Sequence, residues 1–366
     1  MSIYIHIPFC TSICTYCDFC KMFYNKKFVD NYLNALEEEI KERYQGEKVK
    51  TIFIGGGTPT SLDSNELIKL LEITKIFNTE ENIEFTIESN IESLTEEKLQ
   101  IMKKYGVNRL SIGVQSFNNN ILKILGRNHT KEDIYNKINL AKQYFDNINI
   151  DLIYAVTDDI NIVKEDLKEF LKLNITHIST YSLIIEDKTI LKLNNHQNID
   201  EDIDYQMYKL IEDTLEENNY VHYEVSNYAI KGSVSKHNLA YWNNEEYYGF
   251  GLGSTSYINN IRRTNTKNLT EYLKGNYIDE EEYEDKETRI ENEIMLGLRK
   301  IEGINLDTFK EKYNISVEEK YDIEKLLQDK YLIKENNHIK INKEYIYISN
   351  EILIKILSWH IIPNIS

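Results

Sequence analysis

The chain's four cysteines all fall within one loop, Phe9-Cys10-Thr11-Ser12-Ile13-Cys14-Thr15-Tyr16-Cys17-Asp18-Phe19-Cys20, directly after an alternating apolar run. Thiolates are the soft ligands that iron–sulfur clusters require. Three of them at C-x3-C-x2-C spacing can wrap one cubane [4Fe–4S] cluster from a single loop. With only Cys10, Cys14 and Cys17 spent, one iron keeps a position open to an exchangeable ligand. A disulfide framework needs cysteines distant in sequence and an oxidising compartment, and neither applies. The competing chemistry is a structural four-cysteine zinc site with Cys20 as its last ligand. Such sites pair two C-x2-C units across a longer gap, which this loop lacks. Cys20 reads as a bystander thiol or an occasional cluster ligand.

A second group of residues suits a polar cofactor beside that loop. Gly55-Gly56-Gly57-Thr58-Pro59 ends the second strand-like run. Consecutive glycines let backbone amides and carbonyls approach a ligand closely, and Pro59 stiffens the exit. Glu88 and Gln115 end later strand-like runs, Asp151 lies within another, and Arg127 follows Gly126. Each alone is as well read as a solvated surface group, and the glycines alone as a tight turn. Together they offer acceptors for ribose hydroxyls and a guanidinium for a carboxylate.

The elements that must carry these residues alternate between strand and helix. Ser2–Ile7, Thr51–Ile54, Ile83–Glu88, Arg109–Val114, Ile148–Ile153 and Ile178–Leu183 are β-rich. Between and after them, 28–43, 66–77, 95–105, 131–145, 164–173 and 203–217 carry apolar residues at helical spacing, with Asp63 or Ser64 placed as an N-cap. Six such units predict parallel pairing, in a barrel-like or a doubly wound α/β sheet. The cysteine loop then follows a strand, where α/β folds place their active sites. From Val221 to about Asn260 the sequence turns aromatic, Gly-rich and loop-like. Three helices over 287–298, 306–312 and 317–327 and a hairpin over 332–341 close the chain as a small winged-helix-like domain. The expected domains are residues 1–265 and 285–366, separated by a charged stretch with Glu280-Glu281-Glu282.

Composition narrows the function classes. A formal charge of −17 over 366 residues works against a general nucleic-acid surface. A zinc-stabilised winged-helix regulator is further disfavoured because 317–327 carries Glu318, Glu319, Asp322 and Glu324 where a basic recognition helix belongs. No apolar run approaches a membrane-spanning length. The N-terminus shows no basic leader or signal core, so a cytoplasmic location is expected, with peripheral membrane contact left open.

The cysteine spacing resembles the signature of the radical-AdoMet superfamily. Tyr4-Ile5-His6-Ile7-Pro8-Phe9-Cys10 through Cys17-Asp18-Phe19, with 55–60, 113–117, Gly126-Arg127-Asn128-His129, 151–154 and 179–183, is similar to its oxygen-independent coproporphyrinogen oxidase family. The resemblance runs from residue 1 through Arg299. It implies a partial (β/α)6 barrel with a small C-terminal helical domain. It also implies S-adenosyl-L-methionine (AdoMet) chelating the open iron, so that one electron from the cluster yields a 5′-deoxyadenosyl radical. By position it gives AdoMet contacts to Tyr4, Gly56, Gly57, Thr58, Glu88, Gln115, Arg127 and Asp151.

The family divides into true oxidases and HemW-type heme chaperones, and three features align with the chaperones. Cys10 stands near the start of the chain, whereas the oxidase has a long preceding segment. Two residues separate Cys17 from Cys20, where the oxidase loop ends C-x-C. Finally, His237-Asn238-Leu239-Ala240-Tyr241-Trp242 matches the chaperones' HNxxYW segment. Heme needs an axial ligand and flat aromatic walls, so His237, Tyr241 and Trp242 are expected at heme; the bland alternative is a satisfied histidine beside a core Trp. The resemblance thus implies heme as cargo, a heme-acceptor protein, and an electron donor such as flavodoxin or ferredoxin, with no catalytic residue assigned. The rival is radical decarboxylation of coproporphyrinogen III in porphyrin biosynthesis. Ala155-Val156 replaces the family's usual Gly and Pro, Ile91 its proline, and Thr255 a common His; the first predicts a differently shaped loop.

Overall fold

The alternating runs become one sheet. In the computed structural model, which describes residues 1–358, β1 (Ser2–Ile7), β2 (Val49–Gly56), β3 (Thr79–Asn90), β4 (Arg109–Gln115), β5 (Asn147–Tyr154) and β6 (His177–Ser182) pair in chain order, every ladder parallel. Parallel neighbours need long crossovers, and α1 (Lys26–Arg43), α2 (Ser64–Ile73), α3 (Glu96–Lys104), α4 (Lys131–Ala141), α5 (Ile160–Leu173) and α6 (Glu201–Glu217) supply them. Asp63 caps α2 in a capping box with Glu66. Ile5, Ile54, Ile87, Ile112 and Ile150 pack outward against Leu36, Leu70, Met102, Ile138 and Leu167 of the helices. This is the partial (β/α)6 barrel. Because side chains alternate along a strand, the same burial turns Phe53, Glu88, Arg109, Ser111, Asn149, Asp151 and Ser179 to the concave face.

The stretch 221–260 is not a loop. It holds β7 (Val221–Glu224), β8 (Asn227–Ala229), α7 (Lys236–Trp242), β9 (Tyr247–Phe250) and β10 (Thr255–Ile258). β8 pairs antiparallel with β6, and β9 parallel with β1, so both margins of the barrel are extended. β11 (Ile261–Asn265) and β12 (Ile278–Tyr283) complete the order β12-β11-β10-β9-β1-β2-β3-β4-β5-β6-β8-β7. Strands this short leave too few residues for a visible period, and their turn residues dominate the composition. Asn259 and Asn260, at φ 52 and 62, form the two-residue turn that joins β10 to β11.

The charged stretch expected to lie between separate domains is the sheet's outer strand. All six residues of β12 are exposed, and Arg263–Glu281 and Arg262–Glu284 contacts of 2.6 and 2.7 Å tie its end of the sheet together. An acidic edge discourages pairing with another chain. Beyond it, α8 (Lys286–Gly297) begins a body with its own core, built on Ile294, Phe309, Leu332, Ile339 and Ile352. A three-stranded sheet and the hairpin at Asn336-Asn337 give it the expected winged-helix-like form. The helix expected over 317–327 is broken into Val317–Lys320 and Glu324–Gln328, because Tyr321 leaves it in an extended conformation and buries its ring. The last residues of the domain expected over 285–366 lie outside the described residues. Lys300 Nζ donates to Asn243 at 2.6 Å and Ile301 N to Tyr223 O at 3.1 Å, joining this body to the barrel. Among the described residues no helix is long and apolar enough to cross a membrane.

One buried carboxylate fastens α1 to the strands at the sheet margin. Glu39, 0% exposed, accepts from Gly251 N (2.8 Å), Tyr272 Oη (2.7 Å) and Asn265 Nδ2 (2.7 Å), and pairs with Arg43. Removing one partner of a buried pair leaves the others uncompensated. Glu39→Ala is therefore expected to cost about 3–5 kcal/mol in the chemical-denaturation midpoint, and Glu39→Gln about 1–3 kcal/mol. A Glu39→Ala midpoint equal to that of the exposed neighbour Glu38→Ala would dismiss this role.

Candidate cofactor site

The cysteine loop is stapled over the mouth of the barrel. Phe9–Cys10 pairs in parallel with Met22–Phe23. Thr15 is tied to the turn after 119–124 through Thr15 N–Leu125 O (3.2 Å) and Thr15 Oγ1–Ile124 O (2.7 Å). The glycine segment is stapled to the same strand exit, Gly57 N donating to Ile7 O at 2.8 Å and Thr58 N to Phe9 O at 2.9 Å. A Cβ on Gly57 would come within 2.8 Å of the Pro8 carbonyl carbon. Gly56, at φ +110, packs its Cα against the His6 ring so closely that no side chain fits.

Below the loop lies a cavity of about 470 Å³, the size of a cofactor site. Its walls include Cys10, Cys14 and Cys17, together with Gly56, Gly57, Thr58, Glu88, Gln115, Arg127 and Asp151. All three cluster cysteines and seven of the eight expected AdoMet residues are thus brought together. Tyr4 stands behind that wall, beside Phe53 and facing Glu88. Its hydroxyl meets His6 Nδ1 at 3.0 Å and it borders a second cavity, because its place on β1 turns it toward Phe53.

Burial at the mouth works against free thiolates at Cys10 and Cys17. Burial pushes the Cys10 thiol up to about 11, whereas Arg127 Nη1 lies 3.2 Å from Cys14 Sγ. Arg127 is itself buried and held in place by Asn90 (2.9 Å), Gly113 O (2.8 Å) and Glu92 (3.5 Å). Among the described residues no three His, Cys, Asp or Glu side chains converge as the ligands of a single ion. On the opposite wall, burial and then the charge of Asp151 push Glu88 up to about 8, although its Oε2 accepts from Gly56 N at 3.0 Å.

A second cavity of about 420 Å³ shares Asp18, Phe19, Phe53 and Asn238 with the first. Tyr4, His6, Cys20, His237, Tyr241, Tyr247 and Lys267 complete most of its wall. α7 enters the barrel here. Its N-terminal amides, Lys236 N and His237 N, donate to Glu84 at 2.9 and 3.0 Å. His237 is 1% exposed and has both ring nitrogens engaged, with Thr51 Oγ1 and Tyr241 Oη, each at 2.9 Å. It is a latch for α7, stacked on Phe53. Trp242 lines neither cavity and lies beneath Arg299 of the C-terminal body, so it is no wall for a ligand shared with His237.

The structure adds residues that the motifs did not single out. Asn90 bridges Thr58 (2.8 Å) and Arg127. Asn149 donates to Ser111 (2.9 Å) and Asp151 (2.8 Å). Arg109 and Asn238 also line the first cavity. The alternation Arg109, Ser111, Gly113, Gln115 along one strand was the available signal for Arg109. At the departure Ala155, the backbone adopts φ +60, a conformation a glycine adopts freely and an alanine only with strain.

A family model for the radical SAM superfamily matches residues 4–173, and one for the HemN C-terminal domain matches residues 285–344. The heme chaperone HemW of Lactococcus lactis is 40% identical over 368 residues, covering 97% of each chain. That of Bacillus subtilis is 40% identical over 87% of this chain and 88% of its own. Among solved structures, coproporphyrinogen III oxidase (HemN) from Escherichia coli has a TM-score of 0.85 at 21% identity, covering 97% of this chain and 89% of that chain; the likeness shows the fold. A radical SAM domain works with a [4Fe–4S] cluster and AdoMet, and the three thiols, the glycine cradle and the buried Arg127 of the first cavity fit both. After anaerobic reconstitution, Cys10→Ser, Cys14→Ser and Cys17→Ser are each expected to lose the cluster's visible absorbance and bound iron, while Cys20→Ser keeps them. Loss in Cys20→Ser would make that thiol a ligand.

Proposed function

This chain belongs to the HemW family of radical SAM proteins, and from that premise we propose that it is a heme chaperone, binding heme and passing it to an acceptor protein in the cytoplasm. The observation that supports the reading most is the pair of adjoining cavities. One gathers the thiols and the polar residues that suit AdoMet; the other is walled by rings. Bound in the first cavity, the cluster and AdoMet supply one-electron chemistry, with an electron donor of the flavodoxin or ferredoxin kind as its source. Cys10, Cys14 and Cys17 would hold the cluster. Gly56, Gly57 and Thr58 would present backbone and hydroxyl groups to AdoMet, Glu88 and Asp151 would accept from its ribose, and Arg127 and Gln115 would meet its carboxylate end.

Heme takes the second cavity in this reading. Tyr4, Phe53, Tyr241 and Tyr247 offer flat surfaces, and Lys267 at the rim offers a cation to a propionate. His237 would have to give up Thr51 or Tyr241 to bind iron, whereas Cys20 faces the cavity as a second soft donor. Phe19 stands at the shared wall and is 69% exposed, an apolar rim suited to an incoming macrocycle.

Heme titration of the anaerobically reconstituted protein tests the reading, followed through the Soret band for wild type and His237→Ala. Stoichiometric binding by wild type, no conversion of coproporphyrinogen, and about tenfold weaker binding in His237→Ala are expected. A cluster-loaded protein without heme affinity that decarboxylates coproporphyrinogen with AdoMet and a reductant would instead be the oxidase.

A further inference from the structure

The floor of the first cavity holds a charge that none of these roles uses. Arg109 is 2% exposed, lines the cavity from the concave face of β4, and has an Nε without a hydrogen-bond partner. Burying a guanidinium is costly unless it is paired or bonded. The other cations in the wall are committed: Arg127 to Asn90, Gly113 and Cys14, and Lys21 to the Cys17 and Phe19 carbonyls at the mouth.

The strand ladders say what Arg109 can serve. Glu88 of β3 lies opposite Ser111 of β4, and Ser111 opposite Asn149 of β5. Asn149 in turn holds Asp151. Arg109 is the inward residue one step below Ser111, at the level of Thr86 and Asn147. It therefore stands beneath two buried carboxyls that flank its own strand.

We propose that Arg109 is a positioning residue for AdoMet, a buried cation beneath Glu88 and Asp151 that favours the charged form of both and so strengthens the hydrogen bonds they accept from the ribose hydroxyls. The proposal rests on the AdoMet reading of the first cavity. A carboxylate accepts a hydrogen bond more strongly than a neutral acid does, and each carboxyl alone would resist ionising in this setting. Burial, and then the charge of Asp151, drive Glu88 up; burial drives Asp151 up; Arg109 works against both.

Arg127 also acts on Asp151, but Arg109 is the cation that acts on both carboxyls. Tyr4 from β1 and the Gly56 amide from β2 face Glu88. Ser179 and Tyr181 from β6 face Asp151. On the floor, His177 and His237 are driven toward their neutral forms by burial and then by Arg109 itself. Tyr223 and Glu224 lie farther along the margin, and Glu84 is occupied by the α7 amides.

The sign of the effect follows. Removing the cation raises the pH at which the pair ionises, so AdoMet affinity, which grows as the pair ionises, should grow only at higher pH. The test is equilibrium dialysis of AdoMet against the cluster-loaded protein from about pH 6 to 9, a range spanning the Glu88 titration. Arg109→Met should bind AdoMet about tenfold more weakly near neutral pH and show its affinity midpoint about one unit higher. Arg109→Lys should restore the midpoint, and cluster absorbance should be unchanged in both. Uniform weakening at every pH with the midpoint in place would mean a merely structural role and overturn the proposal. If Arg109→Met does not fold, Glu88→Gln decides: its pH dependence should flatten, and an unchanged profile overturns the proposal equally. Wild-type protein that binds no AdoMet at any pH removes the cavity reading and this proposal together, which separates the two failures.

Discussion

Two backbone hydrogen bonds set the geometry on which the mouth of the barrel depends. Gly57 N to Ile7 O and Thr58 N to Phe9 O continue the pairing of β1 with β2 one step past the sheet. Where β1 ends, the chain must turn away to form the cysteine loop. Where β2 ends, it must run straight beneath that loop. Only a glycine at Gly57 leaves room for Pro8 above it. Thr58 then reaches both Cys10 Sγ (3.7 Å) and Asn90 (2.8 Å), and Asn90 passes the constraint to Arg127 and so to Cys14. Three strands and one arginine thus help fix the position of two thiols.

The same economy explains the polar interior. A barrel interior is usually a layered apolar core. Here the concave face carries Glu88, Arg109, Ser111, Asn149, Asp151 and Ser179, all within one cavity wall. Their mutual bonds, such as Asn149 with both Ser111 and Asp151, satisfy much of what burial takes away. Outside the sheet, the apolar helix-facing residues carry the stability, so the inner face is free to serve a charged ligand.

Much of this was legible in the sequence, and the boundary of legibility has a physical cause. Long strands and helices announce themselves because their period repeats, so the six units, the placement of Cys10, Gly57, Glu88 and Gln115 at strand ends and that of Asp151 within its strand could be read directly. Two things could not. The margin strands β7 to β10 have three or four residues each, too few for alternation to show against their turn residues. Whether a polar side chain on a strand faces solvent or cavity is decided by which face the helices cover, and that is a tertiary fact; Arg109 and Asn149 were hidden for this reason. His237 shows the converse. A motif match marked the residue, but only the fold shows that Thr51 and Tyr241 already hold both its nitrogens.

Backbone strain points to the same end of the sheet as the side chains do. Among the described residues, apart from Lys330, the non-glycine residues with positive φ are asparagines, which tolerate that region, and two that do not: Gln115 at φ 71 and Ala155 at φ 60. Each such position costs about 1–3 kcal/mol and persists only where its surroundings over-determine it. Both stand where a central parallel strand ends at the cavity mouth. The ladder between β4 and β5 shifts register between Gly113 and Gln115, and Asp166 of α5 locks the turn that follows by accepting from Ser116 Oγ and Phe117 N, each at 2.7 Å. Gln115 stands in the cavity wall just past this shift, in the left-handed region. At Ala155 the chain accepts strain that a glycine would avoid. Helix contacts on one face hold these bends against relaxation, so the stability built outside the barrel is what allows the mouth to stay shaped for a ligand.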